Sequence, residues 1–292
     1  MKVERLRPEC ISCVMKNQLD KCPADISDEK KIEYMQRIMK MASEVPMTMS
    51  APEIVHKIDA IQVELFGAQY DYTEEKIHFN QVVMAWEEKI QKLLDTAEEP
   101  LLRAIQYSMM GNYIDFGSVE NVNEEELEKL LNDAQKNEVS GEQYEALKQD
   151  LSKARKLVYL LDNCGEIVLD KLVIRLLQKL YPTLEITAFV RGGNVQNDVT
   201  MDDARQVGLT EVVKVMSNGA NIAGTCIEEI SAEARAELEN ADVIISKGQG
   251  NFETLRKCGL NVYYIFLCKC EMFAREFQVP KFTGMLLNDK NC

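Results

Sequence analysis

The second half of the chain alternates short β-rich runs with helical stretches, and this alternation constrains the fold most. After Arg155 the β-rich runs are KLVYLLDN, LEITAFVRG, EVVKVMS, ADVIISKG and NVYYIFLCK. Stretches with helical spacing, such as EIVLDKLVIRLLQKL and DDARQVGL, lie between them. This pattern predicts an α/β fold, a three-layer α/β/α sandwich with a largely parallel sheet, in which ligands bind at the carboxyl ends of the strands.

The first half of the chain predicts helices instead. Between about Asp28 and Lys148, apolar residues recur at three- and four-residue spacing in segments such as KKIEYMQRIMKMASEV and NQVVMAWEEKIQKLLDTA. We therefore predict a helical N-terminal domain over 1–150 that contributes to the binding pocket. Residues 151–292 would form the α/β domain that binds metal and phosphate. No repeat or proline-rich linker marks the boundary, so the two parts could share one core.

Composition excludes several classes of function. The net charge of -14 makes nucleic acid an unexpected partner, because affinity for phosphate backbones depends largely on Lys and Arg. No apolar run approaches the length of a membrane span, and MKVERLRPEC lacks the apolar core of a signal peptide, so we expect a cytoplasmic protein without a membrane partner. With two histidines in 292 residues, carboxylates must carry most of the chemistry.

Oxygen-donor side chains follow two of the predicted strands. Asp162 and Asn163 end the run KLVYLLDN, and Asp198 lies in the polar segment after LEITAFVRG. A carboxylate beside an amide oxygen suits a hard cation such as Mg²⁺. The alternative is that Asp162 or Asn163 caps the following helix. Asp202 and Asp203 compete with Asp198 as ligands, but early carboxylates in a predicted helix complement its dipole without a metal.

Other polar residues predict an anion site near the same strand ends. Lys247 and Gly248 begin the loop KGQGN, whose glycines, backbone amides and lysine suit phosphate, although an ordinary glycine-rich turn explains the loop equally simply. Arg191 follows a strand and could orient an anion or lie at the surface. Asn112 and Asp115, in GNYIDFG, could reach the pocket or satisfy a helix end.

The cysteines leave three interpretations open. Cys10 and Cys13 form a CxxC, and Cys270 follows the last β-rich run. One CxxC without a second pair or two histidines is weak evidence for structural zinc. A thiol cluster of Cys10, Cys13 and Cys270, a redox pair, and buried reduced thiols are the alternatives.

Taken in order, the motifs resemble the damage-control phosphatases, a former domain of unknown function with an Asp-Asn-Asp metal site. The resemblance covers nearly the whole chain, and the CxxC with a late Lys-Cys is similar to the stand-alone prokaryotic subfamily. It rests on six motifs: PECISC, GNYIDFG, LDNCGEIVLDKL, VRGGNVQND, KGQGN and CKC.

The resemblance implies roles for particular residues. A divalent cation, Mg²⁺, Mn²⁺, Co²⁺ or Ni²⁺, would be held by Asp162, Asn163 and Asp198. Glu166 would support the metal site, and Lys247 would contact the substrate phosphate. The further pocket residues implied are Asn112, Asp115, Arg191 and Lys269.

The function that the resemblance implies is metal-dependent hydrolysis of small phosphomonoesters. The partner would be a small phosphorylated metabolite, damaged or surplus, such as a sugar phosphate or a phosphopantetheine derivative. The attacking group would be water or a carboxylate. One alternative is an S-adenosylmethionine-dependent carboxyl methyltransferase, although no cofactor loop is evident in the sequence. Another is a non-catalytic protein that binds a metal or a phosphometabolite.

Overall fold

The chain divides into two compact units, Met1–Tyr72 and Thr73–Cys292. The computed structural model describes residues 5–16, 18–117, 119 and 122–291. The division differs from the boundary predicted near residue 150, because some of the helices between residues 73 and 151 contact the strands and others contact helices of the α/β part or one another.

The first unit consists of helices. They are α1 (Pro8–Met15), α2 (Asp28–Glu44) and α3 (Ala51–Phe66). The Ser27 side chain caps α2, and Ser50 with Glu53 forms a capping box at the start of α3. Tyr34 of α2 is fully buried, and its ring lies 5.3 Å from the ring of Phe66 between centroids.

The second unit contains both helices and strands. Its helices are α4 (Thr73–Asp95), α5 (Pro100–Gly111), α6 (Glu124–Asn132), α7 (Gly141–Leu151), α8 (Glu166–Leu180), α9 (Met201–Gln206), α10 (Ala232–Glu239), α11 (Gln249–Leu255) and α12 (Glu271–Phe277). Its strands are β1 (Lys156–Leu160), β2 (Glu185–Val190), β3 (Lys214–Ser217), β4 (Val243–Lys247), β5 (Val262–Leu267) and β6 (Gly284–Asn288). Among the described residues, no helix is long and apolar enough to cross a membrane.

The strands form one sheet in the order β3-β2-β1-β4-β5-β6. All neighbouring strands are parallel except β6, which pairs antiparallel with β5. The α/β class is thus confirmed, and every predicted β-rich run contains a strand. The middle strands are buried along almost their whole length, as expected for a parallel sheet with covered faces.

Helix α8, which follows β1, is unusually buried. Its first nine residues, Glu166–Ile174, are all buried, including the ionisable Asp170 and Lys171. The helix packs against α4 and α5. A helix that is buried on every side must pack against other elements in addition to the sheet. The helices that the sequence assigned to a separate domain provide that packing.

Candidate active site

Polar side chains gather where the strand order changes direction. From β1 the chain moves to β2 and β3 on one side, and then returns to β4 and β5 on the other. In open α/β sheets the crevice at such a point, at the carboxyl ends of the strands, is where ligands bind. Asp162 and Asn163 come just after β1, and Gly248 comes just after β4.

A short backbone pairing brings the three predicted metal ligands together. Asn163 and Asp198 form an isolated antiparallel bridge. Beside it, the backbone N–H of Val199 donates to the carbonyl of Asp162 at 2.8 Å. The segment after β1 therefore runs along the segment after β2. Asp162, Asn163 and Asp198 are consequently neighbours, and all three are buried.

Arg191 links the two carboxylates. Its Nε donates to Asp198 Oδ2 at 2.6 Å, and its Nη2 donates to Asp162 Oδ1 at 3.2 Å. Nη1 donates to Asn251 Oδ1 at 3.2 Å, and the side chain is only 3% exposed. A planar guanidinium with several donors fixes the relative position of both carboxylates. Its predicted role towards a substrate anion stays a prediction.

The pKa values indicate that negative charge at this point is only partly compensated. Burial, together with the charges of Asp198 and Glu166, raises the pKa of Asp162 well above its usual range, although Arg191 acts to lower it. Burial also raises the pKa of Asp198 to about 6 against the same opposing effect. Such shifts show that the ionised forms are disfavoured without further positive charge.

The three predicted ligands, Asp162, Asn163 and Asp198, are called the ligand cluster below. Glu166 and Asn112 form hydrogen bonds with two of its members. Glu166 Oε2 accepts from the Asn163 backbone N–H at 3.2 Å and from Asn112 Nδ2 at 3.0 Å. Asn112 Nδ2 also donates to Asp162 Oδ2 at 3.1 Å. The backbone N–H of Leu267 donates to Asn112 Oδ1 at 3.1 Å, which fixes the orientation of this amide. Both side chains are fully buried, so they support the donors beside them.

Lys247 has no exposed surface and contacts the cluster only through Glu166 in the bonds described. Its ammonium donates to Glu166 Oε1 at 2.5 Å and to Asp170 Oδ1 at 2.8 Å. Burial acts to lower the pKa of Lys247, but Asp170 and Glu166 overcome it, so the pKa lies above its usual value. The sequence predicted that Lys247 contacts phosphate. In the structure the ammonium is bound by two carboxylates, and its contact with phosphate stays a prediction.

Lys269 is a second cation near the cluster. Its Nζ donates to the carbonyl of Asn112 at 2.8 Å and forms an ion pair with Asp115. The charge of Lys269 acts to lower the pKa of Asp162, so Lys269 lies within electrostatic reach of this predicted metal ligand. Gln249 accepts from the Lys269 backbone N–H at 3.2 Å and so connects this segment to the loop after β4.

Gly248 lies directly against Asp162. Its backbone, at φ 81° and ψ 156°, occupies a region that residues with a side chain rarely adopt. A Cβ at this position would overlap the Asp162 carboxylate. The loop after β4 therefore needs glycine here for conformation and for space. The structure brings the predicted phosphate loop beside the predicted metal ligands.

The donor set fits a hard divalent cation. Two carboxylates and one amide are oxygen donors of the kind that Mg²⁺ and similar ions prefer.

The hydrogen-bonded network around these donors contains five carboxylates and three cationic side chains: Asp115, Asp162, Glu166, Asp170 and Asp198 with Arg191, Lys247 and Lys269. Carboxylates therefore outnumber cationic side chains here, and a divalent cation would offset the excess. Among the described residues no three His, Cys, Asp or Glu side chains form a metal-binding group, so a cation at this point would need Asn163 and other oxygens as further ligands.

Sequence reasoning missed several residues of this network. Asn197 Nδ2 donates to Asn163 Oδ1 at 3.0 Å and to the carbonyl of Ile114 at 2.8 Å. Asn251 contacts Arg191, and Asp170 contacts Lys247. Each lies inside a quoted motif, and a polar residue in an apolar or ligand-rich run was the available signal.

The alternative interpretation of the later carboxylates agrees with the structure. Asp203 forms a capping box with Thr200 at the start of α9, and it pairs with Lys76 at 2.7 Å. Asp202 is exposed and pairs with Arg205. Neither residue contacts the ligand cluster through these bonds.

The described cysteines form no disulfide. Cys10 and Cys13 lie in α1, in the first unit, and Cys270 immediately precedes α12 in the second. The thiol cluster of these three residues stays a prediction.

Comparison with known proteins identifies the class. Residues 6–284 match the damage-control phosphatase ARMT1-like domain. Because the match covers nearly all of the chain, the chain belongs to this family, and membership supports a phosphatase role.

Individual relatives agree with this assignment. An uncharacterized protein of Methanocaldococcus jannaschii, MJ0202, is 28% identical over a region that covers 97% of this chain and 95% of that protein. A protein named damage-control phosphatase from Archaeoglobus fulgidus is 28% identical over 94% of this chain and 96% of its own. The crystal structure of a DUF89 family protein from Pyrococcus horikoshii superposes with a TM-score of 0.82 at 24% identity, covering 97% of this chain and 99% of that one. This last likeness confirms the fold.

Proposed function

We propose that this chain is a divalent-cation-dependent phosphatase that hydrolyses small phosphomonoesters. The observation that carries the proposal is the convergence of Asp162, Asn163 and Asp198 at one buried point. The raised pKa of Asp198 and the excess of carboxylates there favour a bound cation. Membership of a damage-control phosphatase family supports the phosphatase part.

Each residue of the network has a separate task. Asp162, Asn163 and Asp198 would hold the cation, and Arg191 keeps the two carboxylates in position. A bound Mg²⁺, Mn²⁺, Co²⁺ or Ni²⁺ would polarise a phosphoryl oxygen and offset the charge of the transferring group. Glu166 orients Asn163 through two hydrogen bonds. Burial of these groups excludes water and strengthens their electrostatic effect.

Lys269 and the loop after β4 are the groups placed to meet the phosphate. The Lys269 ammonium pairs with one carboxylate, that of Asp115, and donates to the Asn112 carbonyl, whereas the Lys247 ammonium is held by two carboxylates. We therefore assign the phosphate contact to Lys269 and a supporting role to Lys247. Gly248 allows the loop backbone to approach Asp162 closely, so a phosphate on the cation would lie near loop amides.

Burial of the site favours a small substrate. Asp162, Asn163 and Asp198 are each at most 5% exposed, so a compact phosphoryl group is better suited to reach them than a polymer. We propose damaged or surplus phosphometabolites, such as sugar phosphates or phosphopantetheine derivatives. The test is phosphate release from a panel of phosphomonoesters with Mg²⁺, Mn²⁺, Co²⁺ or Ni²⁺ and with EDTA.

Variants of the ligands make the test specific. Asp162→Ala and Asp198→Ala should lower cation-dependent phosphate release by about 100-fold or more, because changes even in residues behind metal ligands cost 10–100-fold. Asp202→Ala is the matched control, since Asp202 is exposed and pairs only with Arg205 among the ion pairs described. Equal activity of all three variants would refute the assignment.

Two other outcomes would redirect the function. If no cation supports phosphate release from any ester, and calorimetry detects S-adenosylmethionine binding, the carboxyl methyltransferase alternative gains. If the protein binds cation and phosphometabolite without turnover, a binding protein is the better description. Phosphate release that depends on both the cation and Asp198 supports the phosphatase.

A further inference from the structure

Three ionisable side chains form a closed group behind the ligand cluster. Glu166 and Asp170 lie one helical turn apart on α8, and Lys247 reaches them from the end of β4. Lys247 Nζ lies 2.5 Å from Glu166 Oε1 and 2.8 Å from Asp170 Oδ1. All three side chains are completely buried. Of the three, only Glu166 touches a proposed metal ligand through the bonds described, at Asn163.

We propose that Asp170 is a positioning residue for the metal site, acting through Lys247 and Glu166. This inference rests on the proposed function. The Lys247 ammonium donates to Asp170 Oδ1 and to Glu166 Oε1. The other oxygen of Glu166, Oε2, accepts from Asn163 Nδ2. Asp170 thus determines where Asn163 lies without touching the cation or the substrate.

The hydrogen bonds of Asp170 are arranged to fix one of its oxygens. Oδ1 accepts from Ser108 Oγ at 2.6 Å, from Tyr159 OH at 2.8 Å and from Lys247 Nζ. Oδ2 is buried and accepts no hydrogen bond from the described residues. Concentrating three donors on Oδ1 leaves the carboxylate a single orientation, in which Lys247 faces Glu166.

Stability alone explains this group poorly. Burying charged groups costs several kcal/mol per ion, and well-packed apolar residues in their place are often equally stable or more stable. Burial raises the pKa of Asp170 to about 6 even with Lys247 beside it, so the folded protein disfavours this charge. A charge kept at such a cost fits a group that positions Glu166.

The experiment is a double-mutant cycle read by Mn²⁺ affinity. Wild type, Asp170→Asn, Lys247→Gln and the double variant are titrated with Mn²⁺ alone by calorimetry. Asp170→Asn should weaken Mn²⁺ binding by about 10–100-fold, as for other residues behind metal ligands. In the Lys247→Gln background the same change should alter the dissociation constant by less than about threefold, because residues that act through one another are not additive.

Asp150→Asn is the matched control. Asp150 also accepts from a tyrosine hydroxyl, that of Tyr263, at 2.9 Å. Tyr263, however, lies near the amino-terminal end of β5, whereas the candidate site lies at the carboxyl ends of the strands. This variant should retain wild-type Mn²⁺ affinity. Wild-type affinity in Asp170→Asn, or additive effects of Asp170→Asn and Lys247→Gln, would overturn the inference.

A second variant keeps the inference testable if Asp170→Asn does not fold. Tyr159→Phe removes one hydrogen bond to Asp170 Oδ1 and preserves the ring. It should weaken Mn²⁺ binding in the same direction and lower kcat more than it changes KM. A folded Tyr159→Phe protein with unchanged Mn²⁺ affinity and kcat would refute the inference. Wild-type protein that neither binds Mn²⁺ nor releases phosphate would refute the proposed function instead.

Discussion

Gly248→Ala is the change whose effect follows most directly from the geometry. At φ 81° and ψ 156° the backbone of residue 248 lies where almost only glycine is found, and a side chain there costs of order 1–3 kcal/mol. The new Cβ would also overlap the Asp162 carboxylate. That carboxylate cannot move freely, because Arg191 and Asn112 both donate to it.

These two costs can be separated by a control glycine. Gly259 has a similar φ of 84°, but an added Cβ would meet no atom within 4 Å. Gly259→Ala should therefore show backbone strain alone, about 1 kcal/mol or about 2–4 °C in Tm for a unit of this size. Gly248→Ala should lose about 3 kcal/mol or more, which corresponds to about 6–12 °C.

Two measurements test this prediction. Thermal unfolding in EDTA gives the stability of each variant, and calorimetric titration with Mn²⁺ gives the affinity of the site. Gly259→Ala should bind Mn²⁺ like wild type, whereas Gly248→Ala should bind it at least about tenfold more weakly, because a displaced ligand loses its geometry. The reasoning is refuted if the two variants match in both stability and affinity.

Two further predictions concern charge. Burial raises the pKa of Asp198 from 3.8 to about 6, so the metal-free folded state holds a proton that the unfolded state has released between about pH 4 and 6. Stability in EDTA should therefore fall as pH rises through this range, while Mn²⁺ should raise Tm more at pH 8 than at pH 5; an equal increase at both values would contradict the shift. Arg191→Met leaves Asp162 and Asp198 without their shared cation and should lower the free energy of unfolding in EDTA by about 3–5 kcal/mol. Saturating Mn²⁺ should recover part of this loss, and a loss that Mn²⁺ does not change would show that the cation binds elsewhere.

The fold was predictable where local patterns determine it. The apolar runs before Asp162 and Arg191 become neighbouring parallel strands, β1 and β2, as their composition indicates. The strand GMLLN was not predicted, since a five-residue antiparallel edge strand has little pattern of its own. The division into Met1–Tyr72 and Thr73–Cys292 could not be predicted from the sequence, because it depends on α4 and α5 packing against α8, which is a tertiary property.

Candidate site residues could be named from the sequence, but their geometry could not. Asp162, Asn163 and Asp198 were named from their places after strands, and the structure makes them neighbours. The direction of a lysine side chain cannot be read from a loop sequence, so Lys247 was assigned to phosphate although it lies among buried carboxylates. In the sequence, Asp170 resembles an ordinary polar residue of an amphipathic helix. Its burial depends on the helices that pack over α8, which the sequence does not show.

An anomalous-scattering map from crystals containing Mn²⁺ tests the proposed metal site most directly. We expect one strong peak with oxygens of Asp162, Asn163 and Asp198 about 2.0–2.4 Å from it. A protein that binds Mn²⁺ elsewhere, with these three side chains outside its coordination sphere, would contradict the proposed site.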